Sequence, residues 1–273
     1  MNTTCPVSLY IVSTPIGNLS DFSERGLKVL EQVDCILCED TRVTAKLLEK
    51  FKIHKKLYIY NDHNAISVIP NVISEMKKGI VYALVSDAGT PLISDPGYKL
   101  INACIENNIR YTAIPGACAV INALLLSGFP SDKFIFTGFA EHADFNFLSQ
   151  IDTTVIIYES PTKLLRTLSK MKQYFENRRI AIVREMTKIY EEVIRGSINE
   201  LIEHFSKNKP RGEFVIVIEP SKDHHNMDIS KYDELIKAMI PTISIKEVSQ
   251  LLSKLTGIAK NVIYNYIKGL LNI

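Results

Sequence analysis

No run of apolar residues in this 273-residue chain approaches the roughly 20 needed to cross a bilayer as a helix, so no membrane span is expected. Met1 to Pro6 offers neither a basic start nor a long apolar segment; no signal peptide is expected, and the cytoplasm is the expected compartment. Five cysteines (Cys5, Cys35, Cys38, Cys104, Cys118) are an odd number and give no disulfide framework. Cys35 and Cys38 have the spacing of a redox or zinc pair. They fall in a predicted strand, where residues three apart face opposite sides, and no second pair completes a zinc site. Both read as small core residues, and no metal is expected. The Gly-x-x-x-x-Gly-Lys-Ser/Thr phosphate loop is missing, as is a Gly-x-Gly-x-x-Gly turn after any strand. No Ser or Cys sits in a recognisable nucleophile elbow, which argues against a hydrolase with a dedicated triad.

Apolar residues make up 46% of the chain, ample for a core, and the charged fraction of 23% is ordinary. The net charge of +2 is unevenly spread: residues 162–211 hold twelve Lys or Arg against six Asp or Glu, leaving the rest slightly acidic. One basic region on a near-neutral chain points to a polyanionic partner, or else to a solvated helix face.

Strand and helix patterns alternate from the start. Strands are predicted at 9–13, 35–38, 56–60, 80–85 and 110–114, each followed by a polar or glycine-rich cluster and then a helical pattern. Alternation of this kind requires a mainly parallel sheet, and parallel strands gather those clusters along one edge, where α/β proteins place ligand sites. The most structured cluster is Val85 to Gly97, with two Asp, two Gly and two Pro: Gly89 and Gly97 permit unusual backbone angles, while Pro91 and Pro96 fix theirs. Asp21, with Glu24 three residues on, reads as a capping box for the first helix, and Asp40 as the cap of the next. The pattern restarts with strands at 133–137, 153–158, 179–183, 191–195 and 213–218, with 138–150 a polar connector. Three segments are expected: an α/β domain over 1–130, a second over 131–220, and a tail over 221–273. In the tail a linker containing His224 and His225 precedes a helix-turn-helix-like pair, 245–255 and 259–270, joined near Gly257. Lys260, Asn261, Tyr264 and Lys268 share one face of its second helix.

An ordered set of motifs runs through the chain. It comprises Thr14-Pro15-Ile16-Gly17-Asn18-Leu19, Glu39-Asp40-Thr41-Arg42, Ser86-Asp87-Ala88-Gly89-Thr90-Pro91 with Ser94-Asp95-Pro96-Gly97, and Ile114-Pro115-Gly116. Tyr158-Glu159-Ser160-Pro161, Arg184-Glu185-Met186-Thr187-Lys188 and Gly212-Glu213 continue it. The set resembles the bacterial small-subunit ribosomal RNA 2′-O-methyltransferase I family, within the tetrapyrrole-methylase superfamily. The resemblance implies a two-domain, non-Rossmann (class III) methyltransferase fold, usually dimeric, with S-adenosylmethionine folded in the cleft between the domains. The implied product is a 2′-O-methylated cytidine in the decoding centre of 16S ribosomal RNA, with free RNA or the small subunit as partner. By motif position, the cofactor residues are Pro15, Asp87, Ala88, Gly89, Thr90, Ile93, Cys118, Ala119, Tyr158, Glu159 and Met186. Two departures bear on substrate contacts: Thr162-Lys163 stands where the family commonly has His-Arg, and Ala65 where it often has an acid.

A ribose hydroxyl is a poor nucleophile, so a proton acceptor is required. Asp40 and Asp21 are the candidates, with Glu39 behind them, and Arg42 is placed to grip a phosphate; for both Asp residues, helix capping is the competing role. Alignment of the two reactants alone removes about 7–11 kcal/mol of a barrier. A tetrapyrrole C-methyltransferase and a non-catalytic RNA-binding assembly protein are the alternatives.

Overall fold

A computed structural model describes residues 6–221, 229–256 and 258–271. Cys5, His224, His225 and Gly257, on which readings above fall, lie outside the described residues. Met1–Pro220 form one compact unit and Ser221–Ile273 a second.

In the first unit, burial along each strand sets its place in the sheet. β2 (Cys35–Cys38) and β4 (Tyr82–Leu84) are buried at every position and lie inside. β3 (Lys56–Ile59) and β5 (Tyr111–Ile114) are largely half-buried or exposed and lie at the edges; β1 (Leu9–Val12) completes the order β3-β2-β4-β1-β5. All four pairings are parallel. Helices α1 (Glu24–Gln32), α2 (Thr41–Lys50), α3 (Ala65–Lys77) and α4 (Tyr98–Glu106) make the crossovers that parallel strands demand.

The second sheet, β6-β7-β10-β8-β9, departs from the parallel pattern of the first. β6 (Phe134–Phe139) and β7 (Thr154–Glu159) are parallel, but β7–β10, β10–β8 and β8–β9 are antiparallel, with β8 at Ile180–Arg184, β9 at Glu192–Gly196 and β10 at Phe214–Ile218. No crossover helix separates β8 from β9, so the chain can only turn back. β10, last in sequence and wholly buried, sits in the middle. All ten predicted strands are present within two residues of their expected ends. The expected polar connector is not featureless: it holds the end of β6, a 3-10 turn (Ala140–His142) and α6 (Phe145–Ser149).

Helix α5 (Ala119–Ser127) follows the first sheet in the chain but packs on the second. Val120, Ala123 and Leu124 share a core with Ile156, Ala181, Val183, Val215 and Val217. Its C-terminal carbonyls are gripped by Arg195 of β9, which donates to Ser127 (2.9 Å) and Leu126. On the outer face of the second sheet lie α7 (Leu164–Phe175) and α8 (Ile198–Lys207), over Val155, Ile157, Ile182 and Ile216.

Asp21 does not cap α1. It lies exposed in a 3-10 turn (Leu19–Asp21), and Ser23 is the cap, its hydroxyl accepting from the Gly26 N–H at 3.0 Å; Glu24 pairs with Lys28 rather than closing a box. In the second unit, α10 (Ile245–Thr256) and α11 (Lys260–Leu270) match the predicted pair, and a shorter helix, α9 (Asp233–Met239), joins them over a core of Ile236, Val248, Leu252, Ile263 and Ile267.

Candidate active site

Three loops at the carboxyl edge of the first sheet are tied to one another. Thr14 and Gly89 exchange backbone hydrogen bonds (2.8 and 3.1 Å), and the Ser13 and Thr90 hydroxyls meet at 2.9 Å, with Thr90 donating onward to the Ala117 carbonyl at 2.9 Å. Gly116 lies so close that a Cβ there would meet Ser13 Cβ at 2.8 Å. The loops after β1, β4 and β5 therefore form one wall. The second sheet supplies the other, and its antiparallel pairing decides which residues reach it. Phe214 is in register with both Glu159 and Arg184, so the start of β10 lies at the same edge as the ends of β7 and β8. Between the walls is a cleft of ≈ 410 Å³, within the usual size of a small-molecule site.

Of the residues implied to bind cofactor, Ala88, Gly89, Thr90, Ile93, Cys118, Ala119, Tyr158, Glu159 and Met186 line this cleft. Pro15 and Asp87 do not: Pro15 is buried beneath its neighbour Ile16, which does line it, and Asp87 turns to the second strand, where its Oδ1 accepts the Asp40 N–H at 3.2 Å. Asp40, Asp21, Glu39 and Arg42 are likewise outside the lining. Also on the walls are Asp95 and Gly212-Glu213, whose motifs marked them without a role, Phe214 and Val215 of the last predicted strand, and Phe139, which no sequence signal marked. A register shift between Phe136 and Phe139, with Gly138 at φ +72°, swings Phe139 inward, where its ring meets the edge of Tyr158.

Strain gathers here. Six non-glycine residues take positive φ among the described residues; Leu92 and Ser94 are in the β4 loop, and Glu185 and Thr187 in the β8 loop. Such conformations cost of order 1–3 kcal/mol each and persist only where the surroundings enforce them. Enforcement is visible at the β8 loop. The Glu185 carboxylate accepts from Lys188 Nζ (2.9 Å) and the Glu213 N–H (3.0 Å), and it fills the space where a Cβ on Gly212 (φ +92°) would sit. Lys188 and Thr187 in turn rest on Gly17 of the first loop.

The lining holds three carboxylates (Asp95, Glu159, Glu213) and no Lys, Arg or His. Glu159 is buried and engaged by the Ser160 N–H (2.7 Å) and the Thr167 hydroxyl, while Glu213 pairs with Lys188 at 3.0 Å. Burial, reinforced by Glu39 and Asp87, pushes the Asp95 carboxyl up to about 6, against the pull of the Ser86 hydroxyl. Glu39 is also raised, by burial and then by Asp87, Asp62 and Asp40. Asp40 is the opposite case. It caps α2, accepting from the Arg42 N–H at 2.8 Å, and the Arg42 guanidinium grips both its oxygens, at 3.0 Å to Oδ1 and 2.6 Å to Oδ2. Those hydrogen bonds hold its carboxyl down at about 2. A cleft with net negative walls and apolar surface from Ile16, Ile93, Met186 and Val215 suits a ligand that is part hydrophobic and part cationic.

The basic stretch at 162–211 is less available than its count. Arg178 is buried and donates to the Ser149 and Ile151 carbonyls; Arg195 holds α5; Lys163, Arg184, Lys188 and Lys207 pair with Glu141, Glu192, Glu185 with Glu213, and Glu203. Arg166, Lys170, Lys172, Arg179, Lys209 and Arg211 remain exposed without a described ion pair. In the second unit, Lys260, Asn261 and Tyr264 line a shallow depression, with Lys268 Nζ 5.9 Å from the Tyr264 ring centre.

The sequence profile of the Tetrapyrrole (Corrin/Porphyrin) Methylases matches residues 8–202. A protein of Rickettsia prowazekii called ribosomal RNA small subunit methyltransferase I is 41% identical over 249 residues, covering 89% of each chain. One of the same name from Hydrogenobaculum is 46% identical over 220 residues, 78% of this chain and 95% of its own. Among solved structures, uroporphyrin-III C-methyltransferase from Thermus thermophilus, complexed with S-adenosylhomocysteine, superposes with a TM-score of 0.55 at 14% identity, over 77% of this chain and 96% of the other.

Proposed function

From the premise that this chain belongs to the tetrapyrrole methylases and, among them, to the ribosomal RNA small subunit methyltransferase I family, we propose that it transfers a methyl group from S-adenosylmethionine to the 2′-hydroxyl of a cytidine in the decoding centre of 16S ribosomal RNA. The observation that carries this reading is the cleft: acidic side chains, none basic, and backbone-rich Ala88-Gly89-Thr90 beside the small Cys118 and Ala119. Those groups fit a ligand with a sulfonium and an ammonium at one end and a flat adenosine at the other. When bound, that cofactor supplies an electrophilic methyl on a positively charged sulfur. The chain's own part is to hold and exclude. Tyr158, steadied by the edges of Phe136 and Phe139 and by the Val120 N–H, closes one side, and Met186 packs beneath. Residues 1–130 and 131–220 act as the two domains flanking the cofactor, and the working form is a homodimer. The target nucleotide enters from a single strand or splayed from its stack, guided by the exposed cations. Arg42, anchored by Asp40, meets a phosphate. Among the described residues no helix is long and apolar enough to cross a membrane, and an RNA substrate puts the enzyme in the cytoplasm.

The test is transfer of tritiated methyl to small subunits lacking the modification, beside free 16S RNA and uroporphyrinogen. Label recovered as 2′-O-methylcytidine is the expected result. Label in uroporphyrinogen identifies a C-methyltransferase instead, and a protein that shows no heat of binding with S-adenosylmethionine is a non-catalytic RNA binder.

A further inference from the structure

Resting on that reading of the substrate as RNA, we propose that the ring of Phe139 is the platform on which the base of the target nucleotide stacks at the mouth of the cleft. Among the described residues, only two large apolar side chains both line the cleft and stay exposed: Ile93 of the first wall, 38% exposed, and Phe139 of the second, 45% exposed. Met186, Phe214 and Val215, also in the lining, are buried. Phe139 belongs to none of the apolar cores, although Phe136, three residues earlier, packs into one.

One extra residue aims it. Side chains alternate faces along a strand, so in regular pairing Phe139 would follow Ile135, which packs on the outer core away from the cleft. Instead, three steps from Phe136 to Phe139 match two from Ile156 to Tyr158, a bulge that returns Phe139 to the face of Phe136. There both rings meet Tyr158, at 4.8 and 5.7 Å between centres. The bulge has a cost, since Thr137 Oγ1 is left buried without a hydrogen-bond partner. Gly138 faces the first wall, where Ser94 Oγ lies 3.6 Å from the place a Cβ would take. Phe139 therefore stands where the two walls approach each other.

The contact with Tyr158 is T-shaped, with 70° between the planes, so it takes at most one face of the Phe139 ring. A free aromatic face, with apolar surface to close the other side, is how enzymes that act on splayed nucleotides hold a base. Charge near the ring has the sign that a nucleotide needs. Lys163 reaches Glu141, two residues past Phe139, at 2.6 Å, and Arg166 is near enough to oppose its charge. Both stand at the start of α7, directly after Ser160 and Pro161 of the lining. The Lys163–Glu141 pair is half-exposed and weakly held, so the ammonium is free to exchange onto a phosphate. A cofactor of net positive charge gains nothing from two cations there, whereas a phosphodiester does.

The test separates KM for RNA from affinity for the cofactor. Methyl transfer to unmodified small subunits is measured for Phe139→Ala, Phe139→Leu and Phe139→Tyr. Loss of the ring in the first two should raise KM at least about fivefold, the lower end of what a stacked base contributes, while Phe139→Tyr stays within about twofold of wild type. The dissociation constant for S-adenosylmethionine, by calorimetry, should stay within about twofold in all three, as expected where only RNA meets the ring. The chain has no tryptophan, so Phe139→Trp carries a single reporter; its emission, less that of Phe139→Tyr, isolates position 139 even against the subunit's own proteins. S-adenosylhomocysteine should leave that emission unchanged, and small subunits added afterwards should quench it. A leucine variant that matches wild type makes the contact merely apolar. Weakened cofactor binding with KM unchanged, or emission quenched by S-adenosylhomocysteine alone, gives the ring to the adenine. An alanine variant with unchanged KM, or emission that ignores the subunits, removes the ring from recognition. Each of these overturns the proposal, and the emission result stands however well the alanine variant folds. Wild-type protein that binds no S-adenosylmethionine, or that labels uroporphyrinogen and not RNA, overturns the reading on which the proposal rests.

Discussion

Asp40 and Asp95 carry the same side chain under opposite electrostatic conditions, and the difference has consequences for stability as well as chemistry. Asp40 is held at about 2 by Arg42, below the ordinary value of about 3.9. The stabilisation from that pairing is complete above about pH 4 and is lost as pH falls towards 2. Asp40 therefore contributes no inflection between pH 5 and 8, and Asp40→Asn, which retains a good N-cap, should raise KM for RNA by loosening Arg42 while leaving the shape of the kcat profile unchanged. Asp95 is raised, so the folded state binds its proton more tightly than the unfolded chain and stability falls as pH rises from about 4 to 6. Replacing it by Asn should raise stability at pH 7 to 8 by on the order of 1–2 kcal/mol after solvent screening, a gain that vanishes towards pH 4; urea denaturation at the two pH values checks it. Gly212→Ala should do the reverse. Its Cβ would displace the Glu185 carboxylate at a backbone angle that side chains avoid, releasing the strained β8 loop, and the dissociation constant for S-adenosylmethionine should rise at least about tenfold.

Among the elements, what a segment contains in itself was legible and what it meets was not. The ten strands announced themselves as short apolar runs between polar clusters. The antiparallel second sheet did not, because a run such as Phe214 to Ile218 reads the same whichever way its neighbours point. That unseen choice is also why Gly212-Glu213 carried a motif but no predicted role: only the antiparallel register brings the start of β10 to the cleft. Phe139 was hidden by a bulge, and α9 by its length of seven residues after a polar stretch. At the first helix, Asp21 and Ser23 are both cap-forming residue types two positions apart, and the sequence offered no ground for choosing Ser23. Thermal melts separate them: Ser23→Ala should cost about 1 kcal/mol, whereas Asp21→Ala should stay within about 0.5 kcal/mol.

For the whole molecule, the division into Met1–Pro220 and Ser221–Ile273 matters more than the alternation of strands. Every residue that lines the cleft falls between Ile16 and Val215, so a chain ending at Pro220 should bind S-adenosylmethionine within about threefold of the full protein by calorimetry. Within the first unit α5 follows the first sheet in the chain and packs on the second, and Leu124, 3% exposed, lies in the core between α5 and the second sheet. Leu124→Ala should lower stability by about 2–5 kcal/mol, with both sheets lost in one transition when followed by urea. Helix α5 is covalently continuous with the first sheet yet walled in by the second. A chimaera that splices one relative to another near residue 130 would seat a foreign helix in a bed shaped for its counterpart, whereas a splice just ahead of Ala119 would carry the helix across together with the strands it fills. Workable crossover points in this family are thus set by where the side chains lodge rather than by where the chain changes direction.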